Sequence, residues 1–222
     1  MIPDSDPTRS AVRPAPAMAA LLLCVLTVGA ARRYHADFAS ATVGKLPEDV
    51  QAVTGGYAVA EFEKDKVLEL PGQPLEIYGL LFGPEDLAEP DVRARVSSAA
   101  SGRRFPEFGV GTGDVGGYRL MLLPGQKKLE LRRGDEPVAS ADTPRPWRPG
   151  GWTWLRLRVT KKAEGRWTLE GKSWDADAAE PPAWQLSHEV TEPPQAGRAS
   201  VWAVPFSGRP IRFDDLSVET GE

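Results

Sequence analysis

Aromatic and basic residues alternate with aliphatic ones in one segment, which is the part of the chain best suited to ligand binding. Residues 152–159 read WTWLRLRV, so aliphatic residues occupy every second position from Leu155 onward. This alternation predicts a β-strand whose aliphatic side chains enter the core while Trp154, Arg156 and Arg158 point to the opposite face. Tryptophan rings can stack on sugar C–H surfaces, and arginine can donate hydrogen bonds to hydroxyls or carboxylates.

A second predicted strand contributes to the same chemistry. Arg93 and Arg95 alternate with small aliphatic residues and therefore also leave the core face of their strand. The predicted ligand-binding residues are Trp154, Arg156, Arg158, Arg93 and Arg95.

A structural role for the same residues is the alternative interpretation. In that case a loop covers the tryptophans, and the arginines form cross-strand ion pairs with residues such as Glu130 or Glu170. Trp174 and Trp184 would then brace the long 175–183 loop. Both interpretations remain open at the level of the sequence.

Carboxylates suited to catalysis are hard to find in the sequence. Glu61, Glu63 and Asp65 would share one face of a strand. This arrangement superficially resembles that of retaining glycosidases, which use two carboxylates about 5–5.5 Å apart. However, residues 64–66 have the composition of a charged hairpin turn, which makes a solvated turn the better interpretation. The two histidines form neither a metal-ligand spacing nor a nucleophile–base pair, so no catalytic residue is predicted.

The composition describes a turn-rich globular protein. The 222 residues include 22 glycines and 21 prolines, which leave little room for long helices. The formal net charge of −4 argues against binding of nucleic acid, which requires a basic surface. About a dozen segments alternate with a period of two between turn signals, which predicts an all-β sandwich or barrel. At Asp214 and Asp215 the alternation slips by one residue, which predicts a β-bulge.

An apolar segment at residues 17–31 precedes the predicted domain. Its length and its small residues at the end are typical of a signal peptide. An uncleaved N-terminal anchor is the alternative, because Arg32 and Arg33 directly after the segment disfavour export. We therefore divide the chain into a signal peptide or anchor at 1–31 and one domain at 32–222. Export implies a periplasmic or secreted protein that contacts the membrane only if the segment is uncleaved.

Several short motifs occur in an order that carries a family resemblance over residues 37–219. The chain resembles the concanavalin A-like lectin/glucanase superfamily, in the laminin-G-like and 3-keto-disaccharide-hydrolase-like branch of bacterial exported proteins. This resemblance implies a two-sheet antiparallel jelly-roll β-sandwich, a fold that hosts both lectins and hydrolases. The motifs are DFA at 37–39, VGKLP at 43–47, GYRL at 117–120, GGW at 150–152, GKSW at 171–174, EPPAW at 180–184 and FDDLSV at 213–218.

The resemblance also implies a structural calcium ion. Relatives often join their first and last strands through such an ion, and Asp37 and Asp214 match the two places, with Asp215 as a substitute. Calcium requires six to eight oxygen ligands, which carboxylates and backbone carbonyls begin to supply. Turn capping by these aspartates, or ion pairs with Arg32, Arg33 or Arg212, is the alternative.

These observations lead to three functional hypotheses. The first is an exported, non-catalytic module that binds a glycan or an envelope polysaccharide. The second is a glycoside hydrolase of the 3-keto-disaccharide-hydrolase-like type. The third is a structural interaction domain of the cell envelope.

Overall fold

The computed structural model describes residues 33–72 and 76–220. The predicted leader at 1–31, including the single cysteine, lies outside the described residues. Nearly all regular structure in the described part is β-strand, with two short 3-10 helices at Pro124–Gln126 and Ala163–Gly165. No helix in residues 33–72 or 76–220 is long and apolar enough to cross a membrane.

One sheet has eight strands. Its strands are β1 (Arg33–Ala36), β3 (Ala58–Phe62), β4 (Asp65–Leu70), β6 (Pro90–Ser98), β11 (Trp152–Lys161), β12 (Trp167–Asp175), β13 (Leu186–Val190) and β15 (Ile211–Thr220). They lie in the order β13-β12-β11-β6-β15-β4-β3, and β1 also pairs with β15. Every pairing is antiparallel.

The other sheet has seven strands. These are β2 (Val50–Ala52), β5 (Tyr78–Leu87), β7 (Glu107–Thr112), β8 (Tyr118–Leu123), β9 (Lys128–Arg133), β10 (Glu136–Asp142) and β14 (Gly197–Val204). They lie in the order β10-β9-β8-β7-β14-β5-β2. The two antiparallel sheets form the predicted sandwich.

The alternation in β11 fixes which side chains enter the core. Leu155, Leu157 and Val159 are buried in the core cluster that both sheets share, whereas Trp154 before them and Arg156 and Arg158 between them are only half-buried. A sheet residue that faces inward must be followed by one that faces outward, so the predicted outer face of this strand is confirmed.

The slip in β15 is a β-bulge, as predicted. The register against β6 shifts between Asp214 and Ser217, and Asp215 adopts a left-handed conformation with φ of 48°. The extra residue lets two consecutive carboxylates point toward the outer face of the eight-stranded sheet.

The carboxylates at positions 61, 63 and 65 do not form a catalytic strand. Glu63 and Lys64 both have positive φ and form the two-residue turn between β3 and β4. Glu61 and Asp65 therefore lie on two different strands that flank a hairpin turn. The hairpin is confirmed, with its turn at residues 63–64 and not at 64–66.

Candidate functional site

The strand register brings the predicted binding residues together on the outer face of the eight-stranded sheet. Strand β11 lies between β12 and β6, so each outward residue of β11 has one neighbour on either side. Three rows run across β12, β11 and β6: Trp174–Trp154–Arg95, Lys172–Arg156–Arg93 and Glu170–Arg158–Asp91.

A groove of about 540 Å³ lies on this face. It extends from β1 and β15 across the centre of the sheet to the loop of residues 176–185, which connects β12 to β13. We call this loop the 176–185 loop. The residues that line the groove are His35, Arg93, Trp154, Trp174, Ala178, Glu180, Asp215 and Ser217.

Two tryptophans form the aromatic wall of the groove. The rings of Trp154 and Trp174 are directly opposite each other in the register, with centroids 6.1 Å apart and planes inclined by 18°. Both side chains are half-buried, so each is held in place and still has an accessible surface. A stacked pair of indoles with nearly parallel planes, partly accessible on a sheet surface, provides an aromatic face on which a sugar ring can stack.

Glu180 of the 176–185 loop is bound by three cations from three strands. Its carboxylate contacts Arg156, lies 2.7 Å from Lys172 Nζ, and lies 3.4 Å from a terminal nitrogen of Arg93. Burial alone would raise the pKa of Glu180, but the hydrogen bonds from Lys172 and Arg156 and the attraction of Arg156 and Arg93 lower it below its ordinary value. Glu180 is therefore a carboxylate that anchors the loop to the sheet.

Trp184 of the same loop packs its ring against Lys172, Arg156 and Arg158. Its ring centroid lies 4.4 Å from Lys172 Nζ and 4.6 Å from the guanidinium carbon of Arg158. Arg158 also donates to Glu170 at 2.7 Å. The side chain of Arg156 is only 15% exposed and donates to Asp91 at 2.8 Å as well as to Glu180. The 176–185 loop thus covers Arg156 and Arg158.

The predicted binding residues therefore separate into two groups. Trp154 and Arg93 line the groove, and the side chain of Arg93 is about one-third exposed while it also pairs with Asp91 and Glu180. Arg95, Arg156 and Arg158 lie on the same face but form ion pairs beside or beneath the groove. For these three arginines the geometry matches the interpretation in which arginines form cross-strand ion pairs.

Arg95 joins the two aspartates of the bulge. A terminal nitrogen of Arg95 donates to Asp214 at 2.6 Å. Its Nε lies 2.7 Å from Asp215 Oδ2, in a contact too bent for a hydrogen bond. His35 Nε2 lies 3.5 Å from the other oxygen of Asp215.

The donor set around the predicted calcium site does not suit calcium. Asp37 caps a turn by accepting a hydrogen bond from the Ala39 amide at 3.1 Å, and Arg95 occupies the carboxylates of Asp214 and Asp215. In the part of the chain that the structure describes, no three His, Cys, Asp or Glu side chains are grouped so that they could hold a metal ion. The calcium ion stays a prediction. The aspartates cap a turn and form ion pairs as in the alternative interpretation, although the arginine that they contact is Arg95 and not Arg33 or Arg212. Arg32 lies outside the described residues.

Asp214 should make the stability of the fold depend on pH. Its side chain is 1% exposed, and burial raises its pKa from 3.8 to about 6, although hydrogen bonds from the Asp215 amide and from Arg95 lower it. The folded protein therefore retains this proton at a higher pH than the unfolded chain does. The contribution of Asp214 to the free energy of unfolding is then greatest below pH 4 and is lost as the pH rises through about 6.

Replacing Asp214 with asparagine should remove this dependence. Between pH 4 and 7 the titration of Asp214 should lower the free energy of unfolding of the wild type by up to about 3 kcal/mol. The Asp214→Asn variant should lack this decrease. Urea denaturation at several pH values measures this difference. Asp177→Asn, at an exposed ion pair with Arg148, is the matched control and should retain the wild-type profile. Parallel profiles for Asp214→Asn and the wild type would contradict the assignment.

Sequence reasoning missed Glu180 as a groove residue and treated Trp174 only as a brace for the loop. Trp174 had a detectable signal, because residues 170, 172 and 174 share one face of a strand by simple alternation. Glu180 had no such signal, because it lies in an irregular loop in which no alternation shows which way a side chain points.

Comparisons with known proteins identify the fold. No family model matches the sequence, and no curated protein matches it either. A Bacillus subtilis protein of unknown function with a galectin-like fold is 11% identical, with a TM-score of 0.57, over 85% of this chain and 96% of that chain. Crh5 transglycosylase in complex with NAG is 10% identical, with a TM-score of 0.57, over 86% of this chain and 85% of that one.

A xylan β-1,4-xylosidase from Bacillus halodurans C-125 is 15% identical, with a TM-score of 0.52. The match covers 83% of this chain and 38% of the xylosidase. Identities this low establish the fold alone. The described residues form a concanavalin A-like jelly-roll sandwich, as the sequence resemblance implied.

Proposed function

We propose that this chain is an exported, non-catalytic module that binds carbohydrate in the groove on the outer face of the eight-stranded sheet. The observation that carries the proposal is the pair of stacked indoles with nearly parallel planes, Trp154 and Trp174, in the wall of a groove of about 540 Å³. Arg93, whose side chain is about one-third exposed and also pairs with Glu180, supplies a hydrogen-bond donor in the same groove. An aromatic platform next to a few polar groups is the combination that recognises a pyranose ring.

The electrostatics of the groove favour a role in binding over a role in catalysis. A general acid needs a carboxyl group that retains its proton near neutral pH. Glu180 has the opposite environment, because three cations lower its pKa. The charges around Glu180 are largely compensated within the protein, which suits a neutral glycan.

Two further considerations support a carbohydrate partner. The fold is shared with a transglycosylase solved with NAG and with a xylosidase, so sugar-active proteins are built on this framework. The signal-like segment at 17–31 supports export, and an exported protein would be located where it can bind envelope polysaccharide. N-terminal sequencing of the exported protein distinguishes cleavage after Ala31 from an uncleaved anchor.

An array of plant, fungal and bacterial-envelope glycans tests the proposal directly. The full chain should be retained on at least one glycan, and the matching free oligosaccharide should compete for retention. We expect dissociation constants in the micromolar to millimolar range, because a single shallow groove buries a limited area. If no glycan is retained, the proposed function fails and the structural envelope role becomes the better account.

A glycoside hydrolase is the second candidate, because the carboxylates of Glu180 and Asp215 both line the groove. Two carboxylates across a sugar-binding groove are the minimal equipment for glycosidic hydrolysis. A turnover assay on glucosides and their 3-keto derivatives tests this candidate. Product release that is lost in Glu180→Gln and Asp215→Asn would replace the binding proposal with an enzymatic one.

A further inference from the structure

Arginines without a partner are concentrated at one end of the sandwich. In residues 33–72 and 76–220, the arginine side chains that make no hydrogen bond, ion pair or cation–π contact are those of Arg103, Arg104, Arg145 and Arg209. All four residues are exposed. The chain has a formal net charge of −4, so these free guanidinium groups form a basic area on a protein that is acidic as a whole.

The strand register brings these arginines to the same end. Ser98, the last residue of β6, lies opposite Ile211, the first residue of β15, and β11 begins beside the end of β6. The segments at residues 99–106, 143–151 and 205–210 therefore all connect strands at this end. Each of the four arginines belongs to one of these three segments.

A pocket of about 320 Å³ lies at this end, and we call it the end pocket. It is formed by the segments at 99–106 and 205–210, by the first residue of β7 and by the 3-10 helix that follows β8. It shares no lining residue with the groove, so the two are separate cavities. The residues that line the end pocket are Arg103, Arg104, Phe105, Glu107, Gly125, Gln126 and Phe206.

A tight turn presents two of the free arginines to the end pocket. Ser101 and Arg104 exchange two backbone hydrogen bonds, of 2.9 and 3.1 Å, and Gly102 between them has a positive φ of 60°. Arg103 follows Gly102 in this turn, so the backbone that carries both guanidinium groups is fixed. The planar donors of arginine match the oxygens of a carboxylate or a phosphate in pairs. The partner that these side chains lack is therefore an anion.

Two phenylalanines give the end pocket an apolar side. Phe105 and Phe206 are half-buried, and neither belongs to the hydrophobic clusters of the described residues. A Cβ atom at Gly125 would lie 3.3 Å from Phe105 Cδ2, so the glycine lets this ring approach the 3-10 helix closely. Aromatic rings pack against the C–H surface of a sugar, whereas a bare inorganic anion gains nothing from them. Free guanidinium groups beside accessible rings therefore indicate a sugar that carries an anionic group.

Glu107 is the acidic residue in the lining of the end pocket. Its side chain forms no hydrogen bond or ion pair with the rest of the described chain. Burial and the neighbouring Glu130 raise its pKa, although Arg132 lowers it. A glutamate with a raised pKa takes up a proton more readily, so it repels a bound anion less than an ordinary carboxylate does. In either protonation state it can accept a hydrogen bond from a sugar hydroxyl.

We propose that the end pocket is a second binding site, which takes a sugar residue with a carboxylate or phosphate group from an acidic polysaccharide. Arg103 and Arg104 pair with the anionic group, while the rings of Phe105 and Phe206 pack against the sugar. Glu107 accepts from a hydroxyl of the same residue. This site goes beyond the proposed function, because the charges around the groove are compensated and suit a neutral glycan.

The cations that flank the end pocket suit a polymer with repeated anionic groups. Lys127 follows the 3-10 helix of the pocket wall, and Arg209 lies three residues after Phe206. Both side chains are exposed and have no partner among the described residues. Neighbouring anionic residues of a bound polysaccharide could pair with them, so affinity should rise with the number of charged sugars.

Matched pairs of ligands test the inference on the full chain. Trigalacturonate and its methyl ester share their sugars and differ in charge, and isothermal titration calorimetry measures the difference. Trigalacturonate should bind about tenfold more tightly than the ester, and high salt should remove this advantage. Glucose 6-phosphate and glucose form the second pair, and the acid that exceeds its neutral counterpart by the larger factor identifies the anionic group as carboxylate or phosphate.

Three variants locate the effect in the end pocket. The double variant Arg103→Gln/Arg104→Gln should lose the tenfold advantage of the acid and leave the affinity of the neutral ligand unchanged. Lys64→Gln/Lys162→Gln is the matched control, because it removes two exposed cations without partners from the opposite end and changes the net charge equally. It should retain the wild-type affinities. Phe206→Leu remains apolar but lacks the ring, and should weaken both the acid and the ester about threefold.

The outcomes separate this inference from the proposed function. The inference is overturned if the double arginine variant binds both acids as tightly as the wild type does. It is also overturned if poly-L-glutamate competes at equal carboxylate concentration, since the end would then be a surface for acidic proteins. Trp154→Ala should leave the binding of trigalacturonate intact, and a loss confined to this variant would place the acidic sugar in the groove. Binding of trigalacturonate that depends on the two arginines supports the end pocket even if the array retains no neutral glycan, a result that overturns the proposed function alone.

Discussion

Replacing Trp154 with alanine should weaken glycan binding by roughly thirtyfold to a hundredfold. Trp154 is one of two indoles in the groove wall, and its ring lies 6.1 Å from that of Trp174. Alanine removes the stacking surface and also the support that keeps Trp174 in position. Truncation of a central aromatic contact commonly costs about 2–3 kcal/mol of binding free energy. Titration calorimetry with the glycan that the array selects measures the loss.

Trp152→Ala is the matched control for this prediction. Trp152 lies on the same strand and the same face, but its ring packs against Phe62 at 6.2 Å and does not line the groove. Its removal should change the affinity less than threefold. Trp154→Phe should recover part of the binding, since a smaller aromatic face remains. Undiminished affinity of a folded Trp154→Ala would show that the glycan lies elsewhere.

Much of the fold could be predicted because strand alternation follows from backbone geometry alone. Successive side chains of a strand point to opposite faces whatever their neighbours are, so the outer face of β11 could be deduced from its leucines. The bulge at Asp214 and Asp215 could be predicted for the same reason, since an inserted residue must shift the phase.

The partners of the outward residues could not be predicted, because they depend on strand register. Asp214 and Arg95 lie directly opposite each other only because β15 pairs with β6. A single sequence contains no signal for that pairing, so Asp214, with Asp215 as a substitute, was predicted to bind calcium and not Arg95. The same limit applies to Arg156, whose partner Asp91 lies on a strand distant in the chain.

Loops limit the prediction of the site for a different reason. The 176–185 loop supplies Glu180 to the groove and to the cations, and its path is set by the contacts it makes on the sheet. Lys172 Nζ, for example, donates to the Pro181 carbonyl at 2.8 Å. Such contacts follow from the complete fold and from no local pattern.

The 176–185 loop should lose its attachment when Glu180 is replaced by glutamine. This substitution keeps the size of the side chain and removes its charge. Lys172 is almost completely buried and Arg156 is 15% exposed, so both cations would lose a charged partner in a poorly solvated position. Breaking a buried ion pair costs about 3–5 kcal/mol. Because Glu180 itself is 31% exposed, we expect a smaller loss of about 2 kcal/mol, or about 4–8 °C in Tm.

The pH dependence identifies the charge as the cause. The ion pairs hold the pKa of Glu180 below its ordinary value of 4.5, so their stabilisation is complete above that pH and is lost as the pH falls through the lowered pKa. The difference in Tm between the wild type and Glu180→Gln should therefore be full at pH 7 and shrink in strongly acidic solution. Glu192→Gln removes a charge whose side chain is 76% exposed and pairs with Arg133, and it should change stability by less than about 0.5 kcal/mol. If both variants behaved alike, Glu180 would be an ordinary surface carboxylate and the loop would be held by Trp184 and backbone contacts alone.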